Sequence, residues 1–95
     1  MWTIVMSESL IEDTKRYGIY DRVVRKLKDL QEMLDIETER ALRILRTNPT
    51  IYVERGYRIK RMVIGDYRLF YYIDYDKKLI VFFKIKTRKK AYKKR

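Results

Sequence analysis

The 95-residue sequence contains no cysteine and no histidine, only one proline and three glycines. Without cysteine there is no disulfide framework, no thiolate zinc site and no thiol nucleophile. Without histidine the commonest general base and the commonest metal ligand are gone, and every Ser-His triad with them. Gly18, Gly56 and Gly65 stand apart from one another, so no glycine-rich phosphate loop exists. The longest apolar runs, Leu69–Ile73 and Leu79–Phe83, are five residues each, against the ~20 needed to cross a bilayer. Met1–Met6 passes directly into polar and acidic residues; no secretory signal is expected, no membrane role, and a cytoplasmic location. The length allows one domain, residues 1–95, with a two-layer core and no deep substrate cavity. One Gln and one Asn beside many Lys, Arg, Glu, Ile and Tyr suggest a thermophilic source.

What the chain does have is positive charge, unevenly placed. The formal net charge is +11; residues 1–76 hold 14 basic and 13 acidic side chains, whereas residues 77–95 hold ten basic ones and no acid. A one-sided field of this kind attracts polyanions. The basic segment 87–95 carries most of it.

Trp2–Met6 reads as a first strand. Ser9-Leu10-Ile11-Glu12 fits a capping box opening a helix from about Ser9 to Tyr17, which Gly18 ends. Asp21 is expected to cap a second helix whose Val23, Leu27, Leu30 and Leu34 share one face, making a helix hairpin with the first. Ala41, Leu42 and Leu45 predict a short third helix over Thr38–Arg46, stopped by Asn48-Pro49. From Thr50 the pattern becomes β, with antiparallel strands Tyr57–Val63, Tyr67–Tyr75 and Lys78–Lys86 joined by tight turns. In the last strand, Leu79, Val81, Phe83 and Ile85 are expected to pack on the helices, with Ile80, Phe82, Lys84 and Lys86 opposite. Basic residues interleaved with aromatics on a sheet suit nucleic acid, cations on phosphates and rings on bases, although strand propensity and core filling account for most of the aromatics.

Any catalysis must fall to Lys, Arg and Tyr. That set suits RNA cleavage through the neighbouring 2′-hydroxyl. A lysine crowded by cations can act as base, arginines can hold the phosphorane charge, and a tyrosine can orient or protonate. DNA lacks the hydroxyl and would be immune. Asp66, Asp74 and Asp76 lie in or beside turns and read as turn formers, with no metal or cofactor implied.

The sequence resembles the RelE/ParE superfamily of toxin–antitoxin toxins, its archaeal RelE branch in particular. Tyr57-Arg58-Ile59-Lys60 is similar to the family's Tyr-basic-apolar-basic strand. Gly65-Asp66-Tyr67-Arg68-Leu69-Phe70-Tyr71 resembles its Gly-Asp-Tyr-Arg signature, and Ile80–Lys86 followed by Arg88-Lys89-Lys90-Ala91-Tyr92 its last strand and basic, tyrosine-bearing end. The resemblance implies an α+β, microbial-RNase-like fold: an N-terminal strand and helix hairpin packed on an antiparallel sheet of about four strands. Thr38–Glu54 exceeds the usual family length and reads as an insertion.

The activity implied is that of a type II toxin, a metal-independent endoribonuclease cutting mRNA in the ribosomal A site. Its implied partners are ribosome, mRNA and a RelB-like antitoxin. The catalytic positions carried over are Lys60, Arg68, Arg88 and Tyr92, and the RNA-binding ones Arg58, Arg61, Lys84, Lys86 and Lys90. Arg61 competes with Arg58 for the first basic position, and Lys90 with Arg88 for the last. The alternatives are a ParE-like toxin directed at gyrase without nuclease activity, and a basic nucleic-acid-binding module or inactive toxin homologue.

Overall fold

The computed structural model describes residues 1–91. Strand β1 (Thr3–Met6) leads into α1 (Glu8–Arg16), α2 (Tyr20–Ile36) and α3 (Thr38–Thr47). Strands β2 (Thr50–Glu54), β3 (Tyr57–Ile64), β4 (Tyr67–Asp74) and β5 (Leu79–Thr87) follow, and a single turn of helix, α4 (Arg88–Ala91), ends the described chain. The sheet has five strands in the order β1-β5-β4-β3-β2. All neighbours are antiparallel except β1, which runs parallel to β5. The fifth strand, β2, and helix α3 are what the segment Thr38–Glu54 forms, so it is part of the architecture rather than an excursion from it.

The helical spacing of Val23, Leu27, Leu30 and Leu34 does what it predicts, since all four are buried. With Leu10, Ala41, Leu42 and Leu45 they pack on Ile64, Leu69, Tyr71, Ile73, Ile80, Phe82 and Ile85 from one face of the sheet. Each such aliphatic side chain withdrawn from water contributes about 1.5–3 kcal/mol.

The helix starts differ from expectation. Ser7, not Ser9, caps α1: its backbone is extended (φ −69°, ψ 157°) and its Oγ accepts the Leu10 N–H at 3.2 Å. Ser9 is already helical. Asp21 sits in the first turn of α2, where its charge suits the helix dipole, but Ile19 is the cap and offers no side-chain bond. The end of α1 is as expected. Gly18 has φ 74° and donates to Lys15 O, while Ile19 donates to Thr14 O, the two-bond closure that places glycine in the left-handed region.

The face assignment of β5 is also corrected. Phe70 pairs with Lys84 but Tyr71 with Phe82, so Phe83 is an extra residue opposed by none. This bulge shifts the alternation midway. Ile80, Phe82 and Ile85 therefore face the helices, while Leu79, Val81, Phe83, Lys84 and Lys86 line the other side.

The two edges of the sheet are treated differently. On β1 the Gln31 side chain accepts the Ile4 N–H at 2.8 Å and donates to Trp2 O at 3.0 Å, pairing outward-facing backbone as a neighbouring strand would. Strand β2 forms the opposite edge.

Candidate functional site

The sheet face turned away from α1, α2 and α3 carries Arg61 from β3, Arg68 from β4, and Lys84 and Lys86 from β5. The register fixes their arrangement: Arg68 stands directly opposite Lys86, and in the next row Phe70 lies between Arg61 and Lys84. Neighbouring strands are about 4.8 Å apart, so four cations share two adjacent rows that hold no carboxylate. Like charges placed directly opposite each other repel.

Arg68 is held rather than loose. It is buried, and its Nη1 donates to Gly65 O at 3.2 Å and Tyr67 O at 3.0 Å. The turn that supplies Gly65 O depends on glycine there, because φ is 57° and a Cβ would meet Arg22 Nη2 at 2.5 Å. Arg88 N donates to Asp66 O at 2.7 Å, which ties the start of α4 to the same turn and brings Arg88 to the basic end of this face. Lys90 lies in α4, and Tyr92 lies outside the described residues.

The aromatic rings divide between roles. Phe70 is buried beneath Lys86, whose Nζ is 5.9 Å from the ring centroid, and packs 6.5 Å from Tyr52. With buried Ile59 it forms a small second apolar layer and cannot stack on a base. Tyr72, 4.3 Å from Tyr57 and 6.0 Å from Phe83, is only half-buried, as are Tyr52 and Phe83. These rings are the ones left to meet a ligand. At the far end of the same face Tyr57 donates to Asp74 Oδ2 at 3.1 Å. The Lys77 N–H on Asp74 holds that carboxyl below the usual range, and the bond to Asp74 pushes the Tyr57 phenol up.

The expected convergence of Lys60 with Arg68 is not what the structure shows. Lys60 pairs with Tyr71 and shares its side of β3 with Met62 and Ile64, the helix side. There it is buried, and its Nζ donates to Asn48 O and Thr50 Oγ1, each at 3.0 Å. The ammonium thus closes the C-terminal end of α3, and burial, followed by the nearby Arg58, lowers its pKa. Arg58 points to this side as well. Of the rivals for the first basic position, it is Arg61 that stands with Arg68. Strand alternation in Tyr57–Ile64 contained this distinction once it was known which face met the helices.

Arg58 and Lys60 instead line a cleft of about 440 Å³ with Arg46, Asp74, Tyr75 and Asp76. Arg46 carried no expected role in the sequence; only the packing of α3 against β3 brings it there. Among the described residues no group of His, Cys, Asp or Glu could hold a metal ion, and no helix is long and apolar enough to cross a membrane.

Comparison with known proteins agrees with this architecture. Residues 4–92 match the family model described as ParE toxin of type II toxin-antitoxin system, parDE. Among solved structures the chain is similar to that described as the crystal structure of archaeal RelE-RelB complex from Pyrococcus horikoshii OT3. The TM-score is 0.61 at 17% identity, covering 92% of this chain and 94% of that one, a likeness of fold. No curated protein sequence matches. The chain belongs to the ParE toxin family of the RelE/ParE superfamily, and is the toxin of a type II toxin–antitoxin system.

Proposed function

We propose that this toxin cleaves mRNA at the ribosome and that it meets the RNA with the sheet face carrying Arg61, Arg68, Lys84 and Lys86. The observation that carries the reading is the pairing of Arg68 with Lys86 beside the Arg61–Phe70–Lys84 row, which gathers four cations in two adjacent rows. Transesterification through the 2′-hydroxyl builds negative charge on the phosphorane oxygens. Arg68, already fixed by two backbone carbonyls, stabilises that charge without reorganising during the reaction. Lys84 and Lys86 hold flanking phosphates, the half-buried Tyr52, Tyr72 and Phe83 offer ring faces to bases, and Arg88 adds a cation just beyond β5; Lys90 and Tyr92 are carried as further candidates by the sequence alone. Lys60 and Arg58 have no part in this site. A protein without a deep pocket on this face relies on the ribosome to present the substrate, which is consistent with its size.

A second reading, a gyrase-directed toxin without nuclease activity, is favoured by one finding: the matching family model is that of ParE toxins. Mapping mRNA ends in a purified translation system separates the two. Cuts inside the decoding site that require ribosomes are expected, falling roughly 100-fold in the Arg68→Lys variant, which keeps charge but loses the guanidinium fork. Intact mRNA together with DNA damage and filamentation on expression would replace the first reading with the second. Arg68→Lys is the better probe than Arg68→Ala, because truncation strips two backbone carbonyls of a charged donor and costs stability as well.

A further inference from the structure

The cleft between α3 and β3 opens on the helix side of the sheet, reaches Tyr57 and Asp74 at the sheet's end, and has a different character from the cationic rows. Arg46, Arg58 and Lys60 line it, yet Arg46 and Arg58 are exposed and neither forms an ion pair among the described residues. Beside Arg58, its cross-strand neighbour Val53 on β2 is 65% exposed. Strand β2 is the sheet edge, and unlike β1 it has no side chain bonded to its outer backbone among the described residues. The cleft also carries Asp74 and Asp76. The lining mixes three cations with two carboxylates, which suits a polypeptide able to bring charges of both signs better than a uniformly anionic nucleic-acid strand. An extended polypeptide can instead set a carboxylate on the arginines, an apolar side chain on Val53 and its own backbone along β2, because residues two apart on a strand share a face.

We propose that this cleft is where the antitoxin docks, seating an acidic side chain of an extended segment between Arg46 and Arg58. The proposal rests on the chain being the toxin of a toxin–antitoxin system and not on which target it attacks. Neutralisation and toxicity then use opposite sides of one sheet, and substitutions separate them. The antitoxin does not need to touch the Arg61–Arg68 face in order to bind.

The test is isothermal titration of the toxin with its own antitoxin, alongside growth inhibition on expression. Arg46→Glu/Arg58→Glu, at two exposed positions, is expected to keep its melting temperature and toxicity while losing at least 100-fold in antitoxin affinity, about 2.8 kcal/mol at ~1.4 kcal/mol per tenfold. Co-expressed antitoxin should then fail to rescue growth. Lys84→Glu/Lys86→Glu should do the reverse, losing toxicity and keeping antitoxin affinity within about threefold. Wild-type antitoxin affinity in the cleft variant would overturn the proposal. So would loss of affinity for a single-stranded RNA oligonucleotide in that variant, which would assign the cleft to nucleic acid. An absence of mRNA cleavage would count against the nuclease reading alone, since the antitoxin titration does not depend on it.

Discussion

Tyr71 shows how one side chain can tie the layers together. Its ring is fully buried 4.9 Å from Phe82, its hydroxyl donates to Leu45 O at 2.7 Å, and it accepts from Asn48 Nδ2 at 2.9 Å. Burial pushes the phenol well above its ordinary value of 10.0. Because the raised pKa belongs to the folded state, the contribution of Tyr71 is complete below pH 10 and is lost as pH rises above it, when the unfolded chain ionises and the folded one resists. Lys60, whose pKa is lowered, acts in the opposite sense: burying its charge costs stability until it deprotonates, so stability rises with pH through the window below 10.5. Tyr71→Phe is therefore expected to cost about 1–2 kcal/mol at pH 7 from the lost hydrogen bonds and to flatten the alkaline fall. Urea denaturation between pH 7 and 11 measures both. The burial of Lys60 was not legible in the sequence, because it reads equally well as an exposed strand residue until α3 is placed over it.

At the level of elements, the helices were legible where periodicity spoke and less so where a single cap did. Val23, Leu27, Leu30 and Leu34 declare a face over about three turns, and all four are buried. At the start of α1 the Ser9–Glu12 pattern pointed to Ser9, whereas the cap is Ser7. Ser7 wins because its N–H also bonds Phe82 O and its Oγ bonds Phe83 O, so β5 holds it at the mouth of the helix. Ser7→Ala should lower stability by about 1 kcal/mol, whereas Ser9→Ala should leave it nearly unchanged; thermal or denaturant melts of the two variants decide between them. Strand β5 was misread for a similar reason. Simple alternation over Leu79–Lys86 places Phe83 and Ile85 together, and nothing local to the strand announces that Phe83 is the residue β4 leaves unpaired.

For the molecule as a whole, the functional quantity is where the charge ends up. Residues 1–76 are almost neutral in sum, yet folding draws Arg61 and Arg68 out of that balanced stretch and sets them beside Lys84 and Lys86. If this face tracks an RNA backbone, binding must fall steeply with salt. For a single-stranded oligonucleotide the log–log slope should shrink by about 1.4 in Lys84→Ala/Lys86→Ala, two phosphate contacts at ~0.7 each. Arg46→Ala/Arg58→Ala should leave the slope as it is. Filter binding across a salt series measures both.

Composition alone excluded cysteine, histidine and glycine-loop chemistry, and the order of patterns from Trp2 to Lys86 carried the α+β architecture, since binary patterning reflects which side of each element must leave water. The Gly-Asp-Tyr-Arg and basic ending pointed to the superfamily. Which cations act together was decided only by the tertiary structure. A strand's side chains alternate every residue, so one choice of buried face on β3 sent Arg61 to one surface and Lys60 to the other, while the bulge at Phe83 turned Ile80 and Phe82 to the helices on β5, and those choices were made by helices distant in sequence.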